Sequence, residues 1–212
     1  GRSYVRDGLN LIDGDDRVRK AAVERLFRFV DAAAPFGARI ILGCIRGNLP
    51  PAALAEPVLR EAANSGGTSF VDMQGQAWEF DRAYAPGGWG YTSGLAKSTT
   101  RAVAGTADDG LYQRWREAPG EYRFTVPNGE YAVTLRFAEF EVGKANDRLM
   151  RITIEGVVVE DAFSIYALVG RTTALERMYR GVVSDGVLNI QFVQNGGKRP
   201  PVVAAVSVVQ QP

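Results

Sequence analysis

The sequence predicts a mainly β protein, an antiparallel β-sandwich, preceded by a short α/β segment. Three observations carry this expectation. From Gly66 onward, short alternating apolar segments recur between Gly, Pro, Asn and Asp residues. Within that region Glu121–Val126 (EYRFTV) and Glu130–Phe137 (EYAVTLRF) alternate residue by residue across Pro127-Asn128-Gly129, which reads as a hairpin turn because Asn-Gly tolerates positive φ. Before Gly66 the texture differs, with apolar residues at helical spacing and then a continuous apolar run.

Taken in order, Gly8–Ile12 (GLNLI) is a short apolar strand candidate, and Asp13-Gly14-Asp15-Asp16 supplies turn and N-cap residues. From Val18, the residues Val23, Leu26, Phe27, Val30, Ala33 and Ala34 recur at helical spacing, with Arg17, Arg19, Lys20, Glu24, Arg25 and Arg28 largely opposite. Pro35–Gly37 ends that helix, and Arg39–Ile45 (RIILGCI) reads as a strand covered on both faces. Residues 1–51 are thus expected to form a right-handed βαβ segment. Residues 52–65 divide two ways. Their Ala and Leu favour a helix, but Pro57 interrupts it, and Val58–Ala62 is preferred as the first strand of the sandwich over 66–212. Further strands are expected at Ser69–Val71, Gln76–Phe80, Arg148–Ile154, Val157–Glu160, Met178–Val183, Val187–Phe192 and Val202–Val209. Glu155-Gly156, Asp185-Gly186 and Asn195-Gly196-Gly197 mark turns.

Composition narrows the chemistry. A chain of 212 residues with 46% hydrophobic and 23% charged residues buries a real core. A net charge of +1, with no long Lys or Arg run, gives no electrostatic argument for nucleic acid or a membrane surface. No apolar run approaches the roughly 20 residues of a membrane-spanning helix. Cys44 is the single cysteine, so no intrachain disulfide forms and the redox compartment stays open. The absence of His removes Ser-His-Asp and Cys-His catalysis and every imidazole zinc site. Hydrolysis would need paired carboxylates or a hard cation on oxygen ligands. The chain opens on Gly1 with no Met and no visible signal peptide, and is expected to be processed, trimmed or a piece of something longer.

Several ordered pieces carry a family resemblance: GGTSFVDMQGQAWEFDRAY (Gly66–Tyr84), GGWGY (Gly87–Tyr91), AGTADDGLYQRWRE (Ala104–Glu117) and YRFTVPNGEYAVTLRFAE (Tyr122–Glu139). ITIEG (Ile152–Gly156), DGVLNIQF (Asp185–Phe192) and PPVVAAVSV (Pro200–Val208) follow in the same order. Over about residues 58–210 the chain resembles a malectin-like carbohydrate-binding module of the kind attached to bacterial glycoside hydrolases. The resemblance implies a jelly-roll β-sandwich that binds an oligosaccharide or polysaccharide without cleaving it, beside neighbouring domains of a larger protein. It also favours an extracytoplasmic setting. A narrower resemblance joins residues 1–51 to part of a sugar-phosphate isomerase or epimerase barrel of the xylose-isomerase type, through the "IRG" at Ile45–Gly47. There Arg46 would face an active site, or else cap the sheet or pair with a carboxylate.

A pyranose offers C–H faces that stack on aromatic rings and hydroxyls that need donors and acceptors. Trp89 and Tyr91, after two glycines, are the first candidates, with Trp89 the best single ligand contact. Tyr112, Trp115 and Arg116 place two rings and a guanidinium close together, though Tyr112 also reads as packing and Arg116 as a partner for Glu139 or Asp109. Trp78 and Phe80 alternate on one strand, so at least one belongs to the core. Glu139 and Glu141 stand at the end of "FAE". Carried over from the resemblance, the family lectin's first-loop aromatic falls near Trp89 or Tyr91 and its next Tyr near Glu117, with Trp115 as a substitute. Its Tyr-Phe pair falls on Glu141 and Val142, and its acidic residue near Arg199, so half of that pattern is replaced. Trp89, Tyr91 and Trp115 are expected on one rim. No cofactor is expected; Asp108 and Asp109 are read as turn residues, with structural calcium the alternative. Two other functions stay open: a structural or interaction sandwich that has lost sugar binding, and a fragment of a sugar isomerase.

Overall fold

The computed structural model describes residues 15–33 and 59–211. The chain divides into two compact units, Gly1–Pro57 and Val58–Pro212. In the first, helix α1 spans Asp16–Ala33. The Asp15 carboxylate accepts from the Arg17 backbone N–H at 2.8 Å and from its guanidinium, which together hold the Asp15 carboxyl below the usual range. Val23, counted above on the apolar face, is 41% exposed, whereas Ala22 is fully buried. The two flanking strands expected at Gly8–Ile12 and Arg39–Ile45, and Arg46, lie outside the described residues.

The second unit opens with β1 (Arg60–Asn64), β2 (Phe70–Val71), β3 (Ala77–Phe80), β4 (Trp89–Tyr91) and β5 (Leu95–Ser98). A one-turn helix, α2 (Asp109–Tyr112), leads to β6 (Arg114–Glu117), β7 (Glu121–Thr125) and β8 (Gly129–Phe137). Then come β9 (Arg148–Ile154), β10 (Val157–Phe163), α3 (Ile165–Val169), β11 (Leu175–Val183), β12 (Val187–Gly197), β13 (Val202–Val203) and β14 (Ala205–Gln210). One sheet runs β11-β8-β14-β1-β3-β2, the second β10-β9-β12-β7-β4, and a small third β13-β6-β5. The fold is mainly β, a sandwich of the two larger sheets with the small third sheet beside them. Period-2 alternation builds its core. Tyr131, Val133, Leu135 and Phe137 from β8 are fully buried, as are Tyr122 and Phe124 from β7 and Leu188 and Ile190 from β12. Phe137 meets Phe163 of the other sheet at 5.2 Å between ring centroids.

Three features depart from the sequence reading. First, β1 and β3 pair in parallel, so the six-stranded sheet is mixed. Second, β4, β5 and β6 fall where no strand is expected. Gly87 and Gly88 suggest a bendable loop, but Trp89-Gly90-Tyr91 is a strand paired with β7. Gly90 sits in it because a Cβ there would lie 2.3 Å from the Arg82 carbonyl oxygen, with φ at +154°. Third, Glu121–Val126 and Glu130–Phe137 do not pair as a hairpin: β7 and β8 belong to different sheets.

The physical reason is a bend in a longer ribbon. Thr125 pairs with Val187 in one sheet, and Gly129 pairs with Val183 in the other. Residues 126–128 and 184–186, three on each side, join the two ladders with no change of register. Chain 121–137 thus runs antiparallel to 175–191 as one ribbon, folded over so that its halves face each other. Asn128 fastens the fold: its Nδ2 donates to the Ser184 carbonyl at 3.0 Å, and its Oδ1 accepts from Gly186 N–H at 2.9 Å. Replacing Asn128 by Ala removes both bonds at an exposed position, so urea denaturation is expected to show a loss of about 1 kcal/mol. A true hairpin occurs at β9–β10, where Ile154 pairs with Val157. Glu155 and Gly156, with φ of 50° and 74°, make the two-residue turn.

Candidate functional site

The side chains singled out from the sequence separate into two polar groups and two packed rings. The first group is built on Asp81, just after β3. One carboxylate oxygen accepts from Gly66 N–H and from Arg116 Nε at 2.6 Å, and the other from the Tyr122 hydroxyl at 2.9 Å. The side chains of Arg116 and Asp81 are only 7% and 3% exposed. Arg116 also donates to the Gly94 carbonyl at 2.9 Å, and its guanidinium lies 3.3 Å from the centre of the Tyr91 ring. Burial, then the Asp81 charge, holds the Tyr122 phenol well above its ordinary range, so the phenol stays a donor. Arg116 therefore pairs with Asp81, in place of the Glu139 or Asp109 expected. Tyr91 and Arg116 are committed to each other and to this node.

Trp89 is 3% exposed and stacks on Phe124 at 5.7 Å and 19°. Because β4 sets Trp89 opposite Phe124 and Tyr91 opposite Tyr122, its ring enters the core with them; no face stays open for a sugar. Its second face is covered by Arg82, 4.0 Å from the ring centre. The indole N–H is buried without a hydrogen-bond partner. Glu61 approaches it without closing a well-formed bond, and burial, followed by the Glu79 charge, raises the Glu61 carboxyl. Tyr112, on α2, is 5% exposed, and burial raises its phenol. Trp78 is 1% exposed and Phe80 52%, so the first is core and the second surface.

The second polar group forms where β8 ends. Positions 115 and 116 alternate across β6, so Trp115 leaves the Asp81 node and stacks on Phe140 at 5.1 Å and 24°. Glu139, 1% exposed, accepts from Arg148 Nε at 2.9 Å and from the backbone N–H groups of Glu141 and Val142 at 3.0 and 3.3 Å. Arg148 also donates to Glu141 at 3.0 Å and to the Pro200 carbonyl. This knot sets the course of the 138–147 loop. Its Phe140 carbonyl accepts from Arg171 at 2.6 Å and from Arg101 at 3.3 Å. Ser164 caps α3, accepting from Ala167 N–H at 3.2 Å, and donates to the Ala145 carbonyl at 2.6 Å. That bond sets α3, with half-buried Tyr166, against the same loop.

Trp89, Tyr91 and Trp115 thus do not form one open rim. Glu139, Glu141 and Trp115 do share the β8 end, together with Arg148, Arg101, Arg171 and Tyr166, none of which the sequence singled out. Ser164 and Gly170, which bracket the short helix, are the residues that could have pointed to Tyr166. Asp108 accepts from Met73 N–H at 2.9 Å and Asp109 from Val103 N–H at 3.3 Å, so both carboxylates hold backbone. Among the described residues no group of three or more His, Cys, Asp and Glu side chains could hold a metal ion, and no helix is long and apolar enough to cross a membrane.

Comparison with known proteins places this geometry. The Malectin domain family matches residues 60–212. Malectin-B of Xenopus laevis is 27% identical over 133 residues, covering 61% of this chain and 48% of that protein. A probable leucine-rich-repeat receptor-like serine/threonine-protein kinase of Arabidopsis thaliana is 28% identical over 170 residues, covering 70% of this chain and 16% of that one. Among solved structures, a β-glucuronidase of Bacteroides uniformis superposes with a TM-score of 0.68 at 27% identity, over 73% of this chain and 18% of that chain. The plant receptor-like kinase ANX1 shares the fold, with a TM-score of 0.61 at 15% identity over 73% of this chain and 49% of that chain. The chain therefore spans less than half of each of these proteins.

Proposed function

We propose, on the premise that this chain belongs to the malectin domain family, that it is a non-catalytic carbohydrate-binding module of a larger glycan-active protein. The observation that carries the reading is the β8 end of the sandwich. There the Glu139–Arg148–Glu141 knot fixes a loop, and α3 and two arginines close around it. Half-buried Tyr166 supplies a ring, and the exposed polar groups of the loop supply donors and acceptors to sugar hydroxyls. Both rim carboxylates are held by Arg148, and Glu139 also accepts two backbone N–H groups. Glu139, buried and held through both oxygens, is not presented as the proton donor or nucleophile that glycoside cleavage requires. The 18% share of a glucuronidase chain that this fold covers supports a module within a larger protein.

The test is a glycan array followed by calorimetry on the hits. Binding is expected, with Tyr166→Ala weakening it by about fivefold, a stacked-ring contribution of ~1 kcal/mol. Silence across the array at millimolar sugar would remove the carbohydrate reading. A second reading, an interaction sandwich without a sugar site, draws on the burial of Trp89, Tyr112 and Trp115 and on Glu141 and Val142 where the resemblance implies aromatic residues. It would be the one left standing by a silent array.

A further inference from the structure

The β8 end carries two arginines that make no ion pair with a carboxylate among the described residues. Arg101 and Arg171 are both exposed, and both donate to the single carbonyl oxygen of Phe140. Two positive groups are therefore drawn onto one acceptor, which offsets only part of their mutual repulsion. Neither makes an ion pair with a carboxylate among the described residues, and the nearby acids Glu139 and Glu141 are consumed by Arg148. The same loop brings further positive charge: Lys198 and Arg199 donate their backbone N–H groups to the Asp147 carbonyl, and Asp147 N–H donates to that of Lys144. Lys144, Lys198 and Arg199 are exposed and make no ion pair among the described residues. Against these three bases the segment sets one acid, Asp147, so it is net positive.

We propose that this rim takes an acidic sugar, a hexuronate whose carboxylate lies between Arg101 and Arg171. Guanidinium groups present paired planar donors that match a carboxylate, and such charge-assisted bonds are about twice as strong as neutral ones. Each arginine spends one Nη donor on Phe140, which fixes its orientation, and keeps other N–H groups toward solvent. The sugar ring then lies along the loop toward Tyr166. This assignment deepens the carbohydrate-binding reading and depends on it.

The experiment is an NMR titration following the arginine Nε–H signals at constant ionic strength, with sodium glucuronate, glucose and sodium acetate as three separate probes. Glucuronate is expected to shift the Arg101 and Arg171 signals and to bind about tenfold more tightly than glucose. In the Arg101→Gln/Arg171→Gln double variant that ratio is expected to fall to about one. Arg171→Lys, which keeps the charge but loses the planar donors, should fall between. The single Gln variants give the same comparison should the double variant not fold. Equal binding of glucose and glucuronate overturns the acidic-sugar assignment and leaves the carbohydrate reading intact. Acetate shifting the same signals as strongly as glucuronate overturns it too, since the patch is then a general anion surface. No response to either sugar, with a silent glycan array, sinks both readings together.

Discussion

Arg148→Met is expected to cost about 3–5 kcal/mol of folding stability, the usual penalty for stripping one partner from a buried ion pair. The Glu139 and Arg148 side chains are 2% and 1% exposed. Without the guanidinium, Glu139 keeps only two backbone donors, and Glu141 and the Pro200 carbonyl lose their partner outright. Urea denaturation at neutral pH measures the loss, with the slope unchanged if the native state stays compact. The double variant Arg148→Met/Glu139→Gln should recover a substantial part, because the stranded charge is then removed. A loss below about 1 kcal/mol in the single variant would mean that water already reaches the pair. The second polar readout is local: the 138–147 loop should lose protection from hydrogen exchange before the core strands do.

Asp81→Ala is the second substitution of large expected effect. Three donors converge on this carboxylate, from Gly66, Arg116 and Tyr122. Its removal leaves a guanidinium 7% exposed facing only the Gly94 carbonyl and the Tyr91 ring. A loss of about 3–5 kcal/mol is expected, with strong coupling in a double-mutant cycle with Arg116→Met. Additive effects in that cycle would contradict the node described here.

Strands were readable where one face is buried and the other is not. In β8 the alternation in the sequence is the alternation of burial from Glu130 to Phe137, and β9 follows it from Met150 onward, after the buried Arg148. What alternation does not encode is which strand lies alongside. EYRFTV and EYAVTLRF look like hairpin arms, yet a turn joining two sheets and a turn within one sheet both use Pro, Asn and Gly. The site was less legible for a related reason. Aromatic residues beside glycines suggest an open loop, and Trp89 has that surrounding, but its Gly90 permits close approach of the 82–84 backbone and draws the ring inward. Arg148 and Arg171 are ordinary basic residues in the sequence. Their roles depend on Glu139 and on a carbonyl oxygen, and a backbone acceptor leaves no mark in a sequence. Glu139 and Glu141, read from the sequence as ligand contacts, are given by the geometry to Arg148.

The folded ribbon of 121–137 against 175–191 has a consequence for how this chain can vary in length. Its two creases, 126–128 and 184–186, are opposite one another and tied by Asn128. One residue removed from a single crease would shift one half of the ribbon against the other by one position, turning Tyr131, Val133, Leu135 and Phe137 outward or leaving the partner strand out of step. Only matched changes, one in each crease, keep both ladders aligned. The two segments lie more than fifty residues apart in the chain, yet their lengths are a single inherited quantity.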